Sequence, residues 1–318
     1  MILKLLPALK DYLWGGTKLK DEYKFETPLQ KVAEGWMLSC HKDGESYVEG
    51  GNYDGKPLSE VIACEGKVIL GSNAQKFDFF PILIKLIDAK KDLSVQVHPN
   101  NEYALRIEGE YGKTECWYVI DCEDDAELIY GFNRKISNEE FARRIDDNTF
   151  LDVVNKVKVK KGDFFFIEAG TLHAIGKGIL LAEIQQNSNT TYRVYDYNRL
   201  GADGKPRPLH TQKAIDVTVC EPPKLNTEKN NKIAFYGYSE QLLTKCDLFT
   251  VCELNISKSA LRKATKESFV SLLVIDGNGK IKRKDTEFSL KKGDSIFISA
   301  DSGDFEIEGE LKILETRI

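Results

Sequence analysis

Lys161-Gly162-Asp163-Phe164-Phe165-Phe166-Ile167-Glu168-Ala169 opens on a Gly-Asp turn, runs through four large apolar residues and stops before the small-residue turn Ala169-Gly170-Thr171. Gly and Asp favour tight turns, while aromatic and β-branched residues favour a pleated, half-buried surface. The segment therefore predicts a turn followed by a short strand. The pattern returns 131 residues later as Lys292-Gly293-Asp294-Ser295-Ile296-Phe297-Ile298-Ser299-Ala300. A turn-strand unit repeated at that distance predicts two β units. In this register His173 falls on Asp304, so the second unit is expected to lack that histidine.

Outward from this segment the same grammar recurs. Leu93 to Val97, Glu115 to Ile120, Glu127 to Gly131, Lys156 to Val159, Gly178 to Gln186 and Thr191 to Asp196 are alternating or β-branched runs bounded by Gly, Asp and Asn. They predict a β-barrel or sandwich. Helical periodicity is local. Ser137 and Glu140 form a capping-box signature before Phe141, with the helical segment running toward Val154, and 58–64, 101–108 and 211–217 are shorter candidates. The chain reads as all-β, with helices decorating the first part. Residues 220–232 carry Pro222, Pro223 and few apolar side chains, so the boundary falls there. This gives a domain over 1–235 and a second over 236–318.

The 318 residues suit about two domains. With 45 Lys and Arg against 50 Asp and Glu, a formal charge of −5 excludes nucleic-acid binding that depends on a basic surface. Even Phe79 to Ile84 is stopped by Lys85, far short of the ~18 apolar residues that span a bilayer. No membrane partner is expected. The first residues carry Lys4, Pro7, Lys10 and Asp11 where a secretory signal is apolar, which predicts a cytoplasmic protein. Seven cysteines without a C-x-x-C pair predict reduced thiols.

Four histidines, 41, 98, 173 and 210, are too dispersed for a helix-borne zinc motif, and the chain contains no P-loop, G-x-G-x-x-G or G-x-S-x-G. Any catalytic centre must be assembled from separate strands. Gln96 and His98, two apart, project to one face of a strand and can share an ion. Glu115 heads the next strand, and His173 follows the turn after Glu168. Two imidazoles, a carboxylate and an amide oxygen make a four-ligand divalent site open to substrate or water. Glu183 and Gln185 add polar groups to a strand that core packing alone would make apolar. His41 and His210 read as ordinary structural or surface residues.

The stretches LSVQVHPNNEYA (93–104), GKTECWYV (112–119), EAGTLHAIGKG (168–178) and NTTYRVYDYNR (189–199) resemble type I mannose-6-phosphate isomerases, most of all the short bacterial form. Tyr12-Leu13-Trp14-Gly15-Gly16, Glu34-Gly35-Trp36 and the run Pro81 to Ile87 extend the likeness over about 11–215. The resemblance implies two jelly-roll barrels of the cupin superfamily and one zinc ion per chain, held in the first barrel by Gln96, His98, Glu115 and His173. It implies interconversion of mannose 6-phosphate and fructose 6-phosphate through an enediol or enediolate. Glu183 then becomes the proton carrier and Arg193 the group that steadies the enediolate or binds phosphate, with Lys85, Ser94 and Lys113 as further substrate contacts. Lys85, in an apolar run, is expected to face a cleft rather than lie buried. Trp14 and Trp36 could wall the sugar site, though core packing is their default. Two other classes compete: a cupin-type iron oxygenase, since two histidines and a carboxylate also suit iron, and a non-catalytic sugar-binding cupin. The basic set Lys85, Lys113 and Arg193 favours the phosphorylated sugar, because an oxygenase has no general need of a phosphate clamp. Oligomeric state has no signature in the sequence.

Overall fold

The computed structural model describes all residues except 202–203, 225–230 and 285. The core of the linker region therefore lies outside the described residues, as does any account of its conformation.

Two β-barrels stand in series. The first closes from a six-stranded and a five-stranded sheet, the second from one ten-stranded sheet that curls on itself. Every α-helix among the described residues lies before residue 235, as expected of helices inserted into the first part. Each sequence-derived strand forms within two residues of its expected ends, for example Glu115–Cys122, Phe164–Ile167 and Ile179–Gln186. The helix after Ser137 runs over Asn138–Asp146, and the Ser137 side chain accepts the Glu140 N–H at 3.1 Å. Only half of the capping box forms, because the Glu140 carboxylate turns instead to Arg134 and Arg144. The helix stops well before Val154, which begins the strand Val154–Lys158. All seven cysteines are free thiols.

Residues 1–235 are not confined to the first barrel. Ile2–Leu6 pairs antiparallel with Ser295–Ile298, matching Ile2 to Ile298, and on its other edge with Tyr47–Glu49. The N-terminal strand is thus built into the C-terminal sheet. Between the barrels, Phe269 is fully buried and stacks on Phe80 at 5.6 Å and Phe297 at 5.2 Å. That interface belongs to the largest apolar cluster, which draws residues from both halves. Among the described residues no helix is long and apolar enough to cross a membrane.

The repeat corrects one expectation. The 131-residue register holds through the paired strands, since Ile167 faces Glu115 in the first barrel as Ile298 faces Val270 in the second. It fails at the following turn, which is one residue longer in the second copy. A single-residue slip moves every side chain to the opposite face. Asp304 is accordingly exposed, and the interior counterpart of His173 is Phe305, which faces Arg262 as His173 faces Gln96. Glu115 is replaced by Val270 and His173 by Phe305, so the second barrel presents apolar surface where the first gathers polar ligands.

Acids survive there nonetheless. Glu315 lies ten residues beyond Phe305, as Glu183 lies ten beyond His173. Glu240 faces Leu254 as Glu34 faces Ile87. Arg262 bridges the two, 2.6 Å from Glu240 and 3.0 and 2.8 Å from Glu315, with Arg317 adding a bond at 2.9 Å. Burial would raise the Glu315 pKa, but the bonds and charge of Arg262 outweigh it and hold the carboxyl below its ordinary value. A depressed carboxylate contributes stability above its unfolded pKa and loses it as pH falls. Glu315→Gln should therefore cost about 2–3 kcal/mol at neutral pH. Its urea stability should also fall less steeply than the parent's below the ordinary carboxylate range. Parallel stability-against-pH curves for the two proteins would contradict this account.

Candidate metal centre and substrate cleft

The two sheets of the first barrel divide the work of building its interior. The five-stranded sheet supplies Gln96 on Val95–Val97, His98 just beyond it and His173 at the start of His173–Ile175. The six-stranded sheet supplies Glu115 at the start of Glu115–Cys122, Lys85 on Ile82–Ala89 and Glu183 on Ile179–Gln186. Antiparallel register sets Glu183 opposite Lys85 and Gln185 opposite Glu115. The alternation of the pleat then turns the polar groups to one side.

His98, Glu115 and His173 offer ligand atoms within 4.8 Å of one another, and all three are almost wholly buried. The two imidazole Nε2 atoms are 3.2 Å apart, and Glu115 lies 3.7 Å from His98 and 3.5 Å from His173. Gln96 brings its amide nitrogen to 3.4 Å from His173 Nε2, while its oxygen, the atom expected to bind an ion, accepts from Ser94 Oγ at 3.4 Å. Both rings are oriented from behind, His98 Nδ1 at 2.9 Å from the Thr190 carbonyl and His173 Nδ1 at 2.8 Å from the Thr171 carbonyl. A carbonyl accepts only from N–H, so each Nδ1 carries the proton and each Nε2 turns its lone pair inward. Burial keeps His98 well below its usual pKa and lowers His173 to about 4, so both are neutral. The inward lone pairs of both imidazoles and Glu115 Oε1, a buried oxygen that no donor reaches, set three acceptors around one point, an arrangement that a cation satisfies. These residues fit a divalent ion. Carbonyl-oriented imidazoles of this kind are the usual supporting arrangement of metal-binding histidines.

The Lys113 ammonium covers this cluster, 2.6 Å from Glu115, 3.2 Å from His98 Nε2 and 3.6 Å from Glu183. Beside it Lys85 bridges Glu183 at 3.2 Å and Glu34 at 3.5 Å and lies over the Trp36 ring. Indole N–H groups finish the set: Trp36 donates to Glu34 at 2.7 Å and Trp117 to Glu183 Oε1 at 3.1 Å. Burial opposes the charge on Lys85, yet Glu34, Glu183 and Glu115 raise its pKa overall. Burial also opposes the charge on Glu183, but Lys113 and Lys85 hold it down at about 2. Glu115 is pushed up to about 7 by burial and by the charge of Glu183.

A cleft of roughly 290 Å³ opens on this floor. Lys85, Ser94, Gln96, Lys113, Glu183 and Arg193 all line it, so the expected substrate contacts converge on one space. Lys85 departs from expectation in one respect: it faces the cleft and is also 4% exposed, because two carboxylates and an indole remove the cost of burying it. Trp14 lines the cleft, whereas Trp36 is wholly buried beneath Lys85. Glu34, Tyr12, Asn189, Thr191 and Arg207 also line it without having been singled out by role. For Glu34 a signal existed, since it is the lone charge on the buried strand Glu34–Leu38. His210 also has a part, its Nδ1 accepting the Arg193 backbone N–H at 3.1 Å.

If this network is as coupled as its distances indicate, Lys85→Met should cost about 3–5 kcal/mol in urea unfolding, because it strands two buried carboxylates. Adding Glu34→Gln should recover part of that loss. Simple additivity of the two substitutions would show that the contacts are not energetically linked.

Comparisons with known proteins bear on this geometry. Residues 2–121 match the family model "Phosphomannose isomerase type I, catalytic domain", and residues 239–318 match "Mannose-6-phosphate isomerase, cupin domain". The mannose-6-phosphate isomerase ManA of Bacillus subtilis is 43% identical over 309 residues, covering 95% of this chain and 94% of that protein. A mannose-6-phosphate isomerase of Streptococcus mutans is 39% identical over 302 residues, covering 95% and 93%. The crystal structure of the Bacillus subtilis mannose 6-phosphate isomerase superposes with a TM-score of 0.92 at 38% identity, covering 100% of this chain and 99% of the other. The Salmonella typhimurium enzyme, crystallised with fructose 6-phosphate and zinc, shares the fold at a TM-score of 0.78 and 18% identity, covering 99% and 98%.

Proposed function

The chain belongs to the type I phosphomannose isomerase family, and from that membership we propose that it interconverts mannose 6-phosphate and fructose 6-phosphate beside one zinc ion held by His98, Glu115, His173 and Gln96. The observation that carries the proposal is a cleft lined by Gln96, two carboxylates, two lysines and two arginines, one of whose lysines, Lys113, also touches the His98–Glu115–His173 cluster. The lysines and arginines favour a phosphorylated sugar over the substrates of an iron oxygenase. On this reading residues 1–235 carry the chemistry, and 236–318 form a metal-free barrel that buries one flank of the first.

Aldose-ketose isomerisation takes a proton from one carbon and returns it to its neighbour, with charge developing on oxygen. Zinc bound to the cluster supplies Lewis acidity to those oxygens. The remaining roles fall to the chain. Glu183 is the proton carrier, and its Oε2 is the atom that moves the proton, because Oε1 is occupied by the Trp117 N–H. With its pKa at about 2, Oε2 accepts a proton only as its contact with Lys113 loosens, and at 3.6 Å that contact is the longer of its two lysine contacts. Lys85 and Trp36 keep Glu34 in place beside it. Arg193 cannot give up its proton near neutral pH, so it holds a substrate anion, the enediolate or the phosphate, without exchanging hydrogen.

His98→Ala and His173→Ala should each lose zinc, by elemental analysis, and nearly all isomerase activity; Glu115→Gln should weaken metal binding less. Full metal content with normal turnover in either histidine variant would remove the proposed centre. Glu183→Gln should lower kcat by at least ~10²-fold with KM little changed. Exchange of the substrate C2 hydrogen with deuterated solvent separates the two roles: Arg193→Ala should still exchange slowly, and Glu183→Gln should not. Normal exchange in the Glu183 variant would transfer the proton to Lys113.

A further inference from the structure

Charge is distributed unevenly along the cleft. At the floor, the Lys85 and Lys113 ammonium groups are already committed to the three carboxylates of Glu34, Glu115 and Glu183. At the more exposed end the balance reverses. Among the described residues Asp196 is the one carboxylate paired with both Arg199 and Arg207; Arg207 bonds it at 2.7 and 2.5 Å, and Arg199 pairs with it too. Arg193 and Arg207 both line the cleft. Arg193 spends one N–H on the Pro208 carbonyl at 2.9 Å, while its buried Nε–H finds no acceptor. Burial and the charges of Arg207 and Arg199 lower its pKa, against a single opposing charge from Asp196. This end holds an excess of cationic donors and a buried donor without a partner.

We propose that Arg207 binds the phosphate of the substrate together with Arg193, that Asp196 is the positioning residue that holds the Arg207 fork, and that the floor lysines instead set the charge of the glutamates. The inference rests on the sugar-phosphate reading above. The phosphate is carried on C6 and the chemistry occurs at C1 and C2, so an extended substrate places its anion at the opposite end of the cleft from the reacting carbons. Planar guanidinium groups suit phosphate oxygens, and a committed ammonium does not.

The test uses the zinc-loaded full chain, with inorganic phosphate as a competitive inhibitor. Arg207→Met should raise KM for mannose 6-phosphate and the inhibition constant for phosphate together, by roughly 10- to 100-fold, with kcat within about threefold and zinc content unchanged. Arg207→Lys should fall between, keeping the charge without the fork. Asp196→Asn should raise KM while leaving kcat, as expected of a residue acting through Arg207. If Arg207→Met folds poorly, the Arg207→Lys and Asp196→Asn pair decides by the same split. Unchanged KM and phosphate inhibition in Arg207→Met, or in that pair, would overturn the proposal. An inactive parent that still binds phosphate, by calorimetry, in an Arg207-dependent way would instead sink the isomerase reading and leave the anion site standing.

Discussion

The chain of alternating charges Glu34, Lys85, Glu183, Lys113, Glu115 is the constraint around which the first barrel is arranged. Each member is nearly inaccessible to water, and an ion in that position is tolerated only when opposite charges and donors surround it. Four strands of one sheet must therefore hold register closely enough to keep contacts of 2.6 to 3.6 Å. Two indole N–H groups complete the network from outside it, which gives Trp36 and Trp117 a polar duty besides packing. The histidines follow from the same logic. They remain neutral because burial disfavours the charged imidazolium and Lys113 adds to that effect, and their lone pairs face inward because backbone carbonyls take up their protons.

The second barrel shows what the same scaffold does once the ligands are gone. One additional residue in a turn exchanges the inward and outward faces of the following strand, so Phe305 fills the interior and Asp304 meets solvent. The acid pair persists as Glu240 and Glu315, yet its cation now comes from a different strand, the guanidinium of Arg262 in the place held by Gln96 in the first barrel. A buried carboxylate such as Glu315 needs a counterion whether or not the barrel does chemistry. Arginine, with several donors in a plane, can satisfy both acids at once without a metal.

Much of this was legible in the residues. Strand positions followed from alternation and turn chemistry, because the pleat and the solvent impose a period of two. The cluster of His98, Glu115 and His173 was legible because each interrupts sequence that packing alone would have made apolar. What escaped was relational. Whether Lys85 is open or buried depends on Glu34 arriving from a strand fifty residues earlier, and nothing in the apolar run around Lys85 specifies that neighbour. The role of Arg207 depends on Asp196 and Arg193 across a bend in the chain. The displaced register of the repeat escaped because a one-residue difference in a turn leaves the motif on either side intact while reversing which atoms point inward.

The pairing of Ile2–Leu6 with Ser295–Ile298 has a consequence for how the molecule comes into being. Those five strand positions leave the ribosome long before their partners and cannot be hydrogen-bonded on that edge until Ser295–Ile298 has followed. Contacts of such sequence separation close slowly, since the entropy of the intervening loop must be overcome before they form. The first barrel can gather its own strands during synthesis, but the second stays open on one side until these two segments meet. Vectorial synthesis therefore leaves the metal-site barrel waiting for its neighbour with an exposed apolar flank, the situation in which chaperones and neighbouring nascent chains compete for a protein.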